Sequence, residues 1–196
     1  MKAMKHDEST SGQSLLEFAM ILPLVLGLSL GVVEVGYALL DQHVVTKLAR
    51  EGSNLISRNT TMAATGAVML SMSTRPVDFS PGGGSKLILS VLKMGAAGTA
   101  NACCPILYQR YEVGNLAKAS TLTSAASPTA FSGPDYTAPN ADNNTSLRVT
   151  GGIPLNLITV GNFVYITEIW TRHPLITPFD RFGVIVPQFL YSIAYF

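Results

Sequence analysis

One stretch limits what this chain can fold into. Gly12-Gln13-Ser14-Leu15-Leu16-Glu17-Phe18 leads straight into an apolar run. From Leu15 to Leu40 only Glu17 and Glu34 carry charge, and Phe18 to Val33 carries none. As an α-helix this run spans roughly 39 Å, more than the ~30 Å hydrocarbon core of a bilayer. With Leu15 at one interface, Glu34 lies near the other, roughly 28 Å away. Glu17 is then the acid placed inside the lipid edge, at a cost of up to ~3 kcal/mol on insertion scales. Such a carboxylate either has a function or is a tolerated interfacial residue.

The residues around it resemble a known pattern. A Gly, four residues, Glu-Phe and then an apolar helix is similar to the processing site of type IV prepilins. The resemblance implies cleavage between Gly12 and Gln13 by a prepilin peptidase, which makes Gln13 the new N-terminus and Glu17 the fifth residue. It also implies that Glu17, beside Phe18, meets the freed amino group of a neighbouring subunit. Elementary electrostatics agrees, because a carboxylate in lipid needs a cationic partner. More narrowly, residues 13–53 resemble the TadE-like family, the pseudopilins of Tad pilus systems. The residues that carry this are Glu17-Phe18-Ala19, Leu22-Pro23, Gly31, Glu34-Val35-Gly36 and Ala49-Arg50-Glu51-Gly52.

Composition agrees with an anchored exterior domain. Charged residues make up 13% of the 196 and apolar ones 47%, against a usual charged share of about 25%. A net charge of +1 gives no electrostatic case for nucleic acid. Removing residues 1–12 deletes Lys2, Lys5, Asp7 and Glu8, which leaves that balance unchanged. A secretory signal peptide cut after Gly36-Tyr37-Ala38 is the competing reading, and an uncleaved single-pass anchor is a third. Lysine counts on the two flanks barely set orientation, so the N-terminus-inside assignment comes from the resemblance.

Ala19, Pro23, Gly27 and Gly31 recur every four residues and share one helix face. Gly27 and Gly31 form a GxxxG spacing, which lets helix backbones approach closely in lipid. Pro23 removes the backbone bond to Ala19 and predicts a kink. Beyond Tyr37 the helix is expected to continue to about Arg58. Leu40, Val44, Leu48 and Leu55 form its apolar stripe, expected to pack on the chain's own sheet, and Gly52 weakens it. A second helix is predicted over 62–75. Strands are predicted over 86–94, 106–113, 163–172 and 188–196, with 163–172 central because both its faces carry large apolar residues. Residues 114–150 are rich in Ala, Ser, Thr, Asn and Pro and read as a solvated loop or a partly disordered insertion. Pro174 to Pro187 reads as a connecting loop.

Chemistry-bearing motifs are sparse. Cys103 and Cys104 are adjacent, leaving a vicinal disulfide, an intersubunit link or two free thiols open. His6, His43 and His173 do not cluster in sequence and read as exposed polar filler. Asp135, Asp142 and Asp180 read as solvated loop acids. No phosphate loop, nucleophile elbow or zinc spacing is present, so no catalytic residue, metal, cofactor or small-molecule substrate is expected.

The expected architecture is α+β and type IV pilin-like. It has a leader over 1–12 and a helix over 13–58 with its membrane part at 15–40. An exterior antiparallel-sheet domain follows over 59–196. The resemblance implies a minor pseudopilin in the bacterial inner membrane, with its C-terminal domain outside. Its partners would be prepilin peptidase, other pilin-like subunits and the pilus assembly platform, in adhesion or secretion. A filament-forming pilin and a secreted binding module are the alternatives.

Overall fold

A computed structural model of the chain describes residues 9–153, 157–177 and 187–196, with side chains from residue 12 onward. Most of the expected leader, with His6, and the middle of the proline-rich loop, with Asp180, lie outside the described residues. The elements are helices α1 (Ser9–Ser57) and α2 (Met62–Met72) and strands β1 (Ser85–Met94), β2 (Pro105–Val113), β3 (Phe163–Arg172) and β4 (Phe189–Tyr195). This is the expected α+β, pilin-like arrangement of a long apolar N-terminal helix and a small antiparallel sheet. The helix starts at Ser9 rather than at Gln13, so the Gly12–Gln13 bond lies within it. The chain divides into two units: α1 up to Leu39 with the segment from Leu175, and Leu40–Pro174 with Pro187–Phe196.

In the second unit the strand order is β2-β1-β3-β4, antiparallel throughout. β1 and β3 are therefore central, and each is buried on both faces. That explains why β1 reads Leu-Ile-Leu-Ser-Val-Leu rather than as a simple alternation. One face carries Leu87, Leu89, Val91, Ile169, Leu190 and Ala194. Val45, Leu48, Ala49 and Ile56 of α1 and Met62 and Met69 of α2 close over it. The helical stripe thus does rest on the sheet, except that Leu40 stays 63% exposed.

Gly52 strengthens this packing, contrary to the expectation that it weakens the stripe. A Cβ there would sit 2.8 Å from both Cγ2 and Oγ1 of Thr167. The missing side chain is what lets α1 lie this close to β3. Gly66 does the same for α2, where a Cβ would meet the Tyr111 ring at 2.4 Å.

The other face of the sheet is covered by the segment expected to be solvated. Leu122, Phe131, Ala138, Ala141, Leu147 and Val149 are buried against Leu92, Ile106, Val164 and Ile166. Three single-turn 3-10 helices punctuate this segment, at Pro128–Ala130, Pro134–Tyr136 and Thr145–Leu147. Polar contacts give it order where periodicity is absent. Asn101 Nδ2 donates to the carbonyls of Ala141 and Asn144, each at 2.8 Å. Asp142 accepts from Lys93 Nζ and from the Ala96 backbone, each at 2.9 Å. Asp135 accepts from the first N–H of α2, Met62, at 2.8 Å, beside the N-cap Thr61. Neither Asp135 nor Asp142 is thus a merely solvated loop acid, because each satisfies donors that would otherwise be stranded.

Gly52→Val should lower stability by about 1–3 kcal/mol by forcing α1 off Thr167, read as a lower midpoint in thermal unfolding of the detergent-solubilised chain. The hydrogen bond from Lys93, then that from Ala96, holds the Asp142 carboxyl below its ordinary value. A lowered folded pKa stabilises above the unfolded value of about 3.9, and that contribution is lost as pH falls through the folded value. Asp142→Asn should therefore be less stable than the parent near neutral pH, and the two should converge in acid unfolding once pH falls below the lowered folded value.

Candidate functional site: the apolar helix and its carboxylates

The N-terminal part of α1 is long and apolar enough to cross a membrane, with a mean hydropathy of 2.2 over its best window. Of that window 6% is buried within the chain. Leu15, Leu16, Phe18, Met20, Leu24 and Leu28 are all more than 60% exposed. A soluble core helix would hide these side chains, each worth roughly 1.5–3 kcal/mol on full burial. An apolar surface of this extent marks contact with lipid or with other proteins.

Glu17 lies on this exposed stretch. Its Oε1 accepts from Gln13 Nε2 at 3.0 Å, one helical turn back. The two residues singled out from the sequence are thus in contact, although Gln13 brings only a neutral amide. Gly12 is open, with nothing within 4 Å of an added Cβ. Of the small-residue positions, Ala19 and Pro23 are exposed and Gly27 and Gly31 half-buried. An added Cβ at Gly27 would also meet nothing within 4 Å. The helix runs on through Pro23. Ser29 Oγ donates back to the Val25 carbonyl at 2.8 Å, which keeps that hydroxyl satisfied inside an apolar run.

Glu34 is the residue whose environment sequence reasoning missed. It is only 3% exposed. Its Oε2 accepts from Thr177 N at 2.9 Å, Thr177 Oγ1 at 2.7 Å and Ile176 N at 3.2 Å. It holds a segment more than a hundred residues away in sequence. The available signal was the acid itself, since a carboxylate in an apolar run implies donors somewhere. Nothing in the sequence tells which donors.

His43 is exposed on α1, as expected. His173 is buried instead, with Nδ1 2.8 Å from Asp41 Oδ2. Glu168, fully buried at the centre of β3, accepts from Thr121 N at 2.8 Å, Thr121 Oγ1 at 2.7 Å and Tyr191 OH at 3.0 Å, and also contacts Ser120 Oγ. Arg110 reaches the same Ser120 hydroxyl at 2.9 Å. Burial lowers the Arg110 pKa, opposed by the charges of Glu112 and Glu168. Burial, with help from Glu168, pushes the Tyr191 hydroxyl far above its ordinary value, so it stays a donor. Every oxygen of this carboxylate is occupied, which suits a structural tie rather than a general base. Cys103 and Cys104, in the β1–β2 connection, are bonded to each other. Among the described residues no three His, Cys, Asp or Glu side chains come together as metal ligands would.

Comparison with curated proteins and with solved structures gives no match. The segment that does match a protein family is the one built around Glu17 and Glu34: residues 12–54 fit the family model described as TadE-like protein, so this chain carries a TadE-like segment over its exposed apolar helix.

Proposed function

We propose that this chain is a pseudopilin-like minor subunit for assembly of a Tad or type IVb pilus. The observation that carries the reading is the uncovered apolar helix with its exposed Glu17, inside the TadE-like match. In this reading a prepilin peptidase removes residues 1–12. Gly12 suits that bond, because glycine weakens a helix by about 1 kcal/mol relative to alanine and an opened backbone is what a peptidase cuts. The freed α-amine of Gln13 in one subunit then meets Glu17 of another, while the Ala19, Pro23, Gly27 and Gly31 face packs against neighbouring helices. The helix is held in the bacterial inner membrane with the sheet domain exterior, and the protein acts by assembly with the pilus platform, in adhesion or secretion, without turnover of a substrate.

Mature N-terminal sequencing tests the processing step. Gln13 is the expected first residue, whereas Leu39 would support a secreted module cut by signal peptidase. Replacing Gly12 with a bulky residue should leave the slower-migrating, uncut chain on a gel. Glu17→Ala should still be cut but should reduce piliation, and normal piliation in that variant would remove the pairing from the mechanism. Glu34→Ala should also be cut normally. Its effect should instead appear as faster amide exchange at Ile176 and Thr177, whose N–H groups lose their acceptor.

A further inference from the structure

The sheet has two lateral edges, and the chain treats them differently. The outer edge of β2 is closed from within. Ile106 bridges Arg148, Gln109 bridges Thr137, and the Ala138 N–H donates to the Tyr108 carbonyl at 2.9 Å. Among the described residues the outer edge of β4 meets no strand or bridge, only the Gln42 side chain of α1. Phe196 and Tyr165 exchange both backbone bonds, at 2.9 and 3.0 Å, and His173 N donates to the Gln188 carbonyl at 2.9 Å. The register between these points is unbroken. Antiparallel alternation therefore turns Leu190, Ser192 and Ala194 inward to β3, and Phe189, Tyr191, Ile193 and Tyr195 outward. Of the outward groups, the Tyr191 carbonyl accepts from Gln42 Nε2 at 2.9 Å. The outward backbone groups of Ile193 and Tyr195 have no hydrogen-bond partner among the described residues. An open cleft of about 410 Å³ bordered by Phe163, Tyr165, Tyr195 and Phe196 lies at the same end, and Phe196 is 65% exposed.

Exposed edge strands usually carry a defence against pairing: a lysine, a proline, an inward charge or a bulge. From Phe189 to Phe196 the sequence Phe-Leu-Tyr-Ser-Ile-Ala-Tyr-Phe has no charged residue and no proline, and its register has no bulge. We propose that this edge pairs with the same edge of a second copy of the chain, antiparallel about a two-fold axis at Ile193.

The occupant follows from what is unmet. Outward donors and acceptors repeat every second residue, a spacing that an extended backbone matches. A strand without charge meets its own copy without like-charge repulsion. A two-fold at Ile193 sets Ile193 opposite itself and Tyr191 opposite Tyr195 of the second copy, so each outward residue between 191 and 195 faces an outward residue. A two-fold at Tyr191 would set Tyr195 opposite Pro187, which has no N–H to give. The bond from Gln42 does not block the scheme, because a carbonyl oxygen keeps a second lone pair. The contact is isologous, so it closes at a dimer. It does not depend on the pilus reading and stands or falls separately.

Amide exchange on the unmodified full chain in detergent micelles tests it, read by NMR in dilute and concentrated samples. The Ile193 and Tyr195 amides should exchange about tenfold more slowly in the concentrated sample, as mass action fills the dimer. A second measurement uses Ile193→Cys. Paired strands would bring the two sulfurs within disulfide reach, with Cα atoms about 5.5 Å apart. Mild oxidation should give a reducible dimer, while Ala117→Cys, exposed elsewhere on the domain, should not. Exchange independent of concentration at both amides, or cross-linking through residue 193 no better than through residue 117, overturns the proposal. Association through the membrane helices alone would give that second pattern.

Discussion

A helix that is apolar on every side has no stable place in water. Between Phe18 and Val33 the large apolar side chains of α1 stay 39–74% exposed, and nothing in their pattern offers a polar face to solvent. Further along the same helix the solution changes. Leu40 is still 63% exposed, whereas Val45 and Ala49 are fully buried. Past that change the apolar residues shrink to one stripe, and the stripe has a sheet to rest on. One helix thus meets the hydrophobic constraint twice, first through surroundings that the described residues do not supply and then through its own β1 and β3.

Covering one face of the sheet creates a second demand, because β1 and β3 are apolar on both faces. The 114–150 segment meets it with few large side chains and many hydrogen bonds. Its weakest point ought to be Glu168, a carboxylate on a fully buried strand position, since an unmatched charge there costs several kcal/mol. The segment turns that liability into a fastening. The backbone N–H and hydroxyl of Thr121, the hydroxyl of Ser120 and the hydroxyl of Tyr191 all converge on Glu168, with Arg110 behind Ser120. A hydrophobic residue at 168 would give Ser120 and Thr121 nothing to dock on.

Much of this was legible in the sequence, and the failures share one cause. The four strands and α2 lie within a residue or three of where alternation and helical spacing put them, because those signals are local. The central place of β3 was readable from large apolar residues on both its faces. The 114–150 segment was misread because its order comes from pairings such as Asn101 with Ala141 and Asp142 with Lys93, which leave no period in the sequence. His173 was misread for the same reason, since its partner Asp41 lies far away on α1. Gly52 was taken as a weak point because helix propensity is a local quantity, whereas the close approach to Thr167 is a tertiary one.

The two acids of the apolar run sharpen the functional argument. Each breaks a stretch that otherwise avoids charge, so each needs compensation if its surroundings are dry. Glu34 has it within the chain, as two backbone N–H groups and a hydroxyl pointed at one carboxylate oxygen. Glu17 has a single neutral amide, on a side chain that is itself exposed. An amide at 3.0 Å meets one lone pair and leaves the charge unbalanced. The described chain brings no cation to Glu17, and its apolar neighbours Leu16 and Phe18 keep water away once they are covered. In the proposed reading, the compensation that Glu34 finds inside its own unit comes to Glu17 from another subunit. If residues 1–12 are removed as proposed, the new α-amine at Gln13 of a neighbouring subunit would have the right charge, and in a parallel bundle of identical helices it would lie at nearly the right depth.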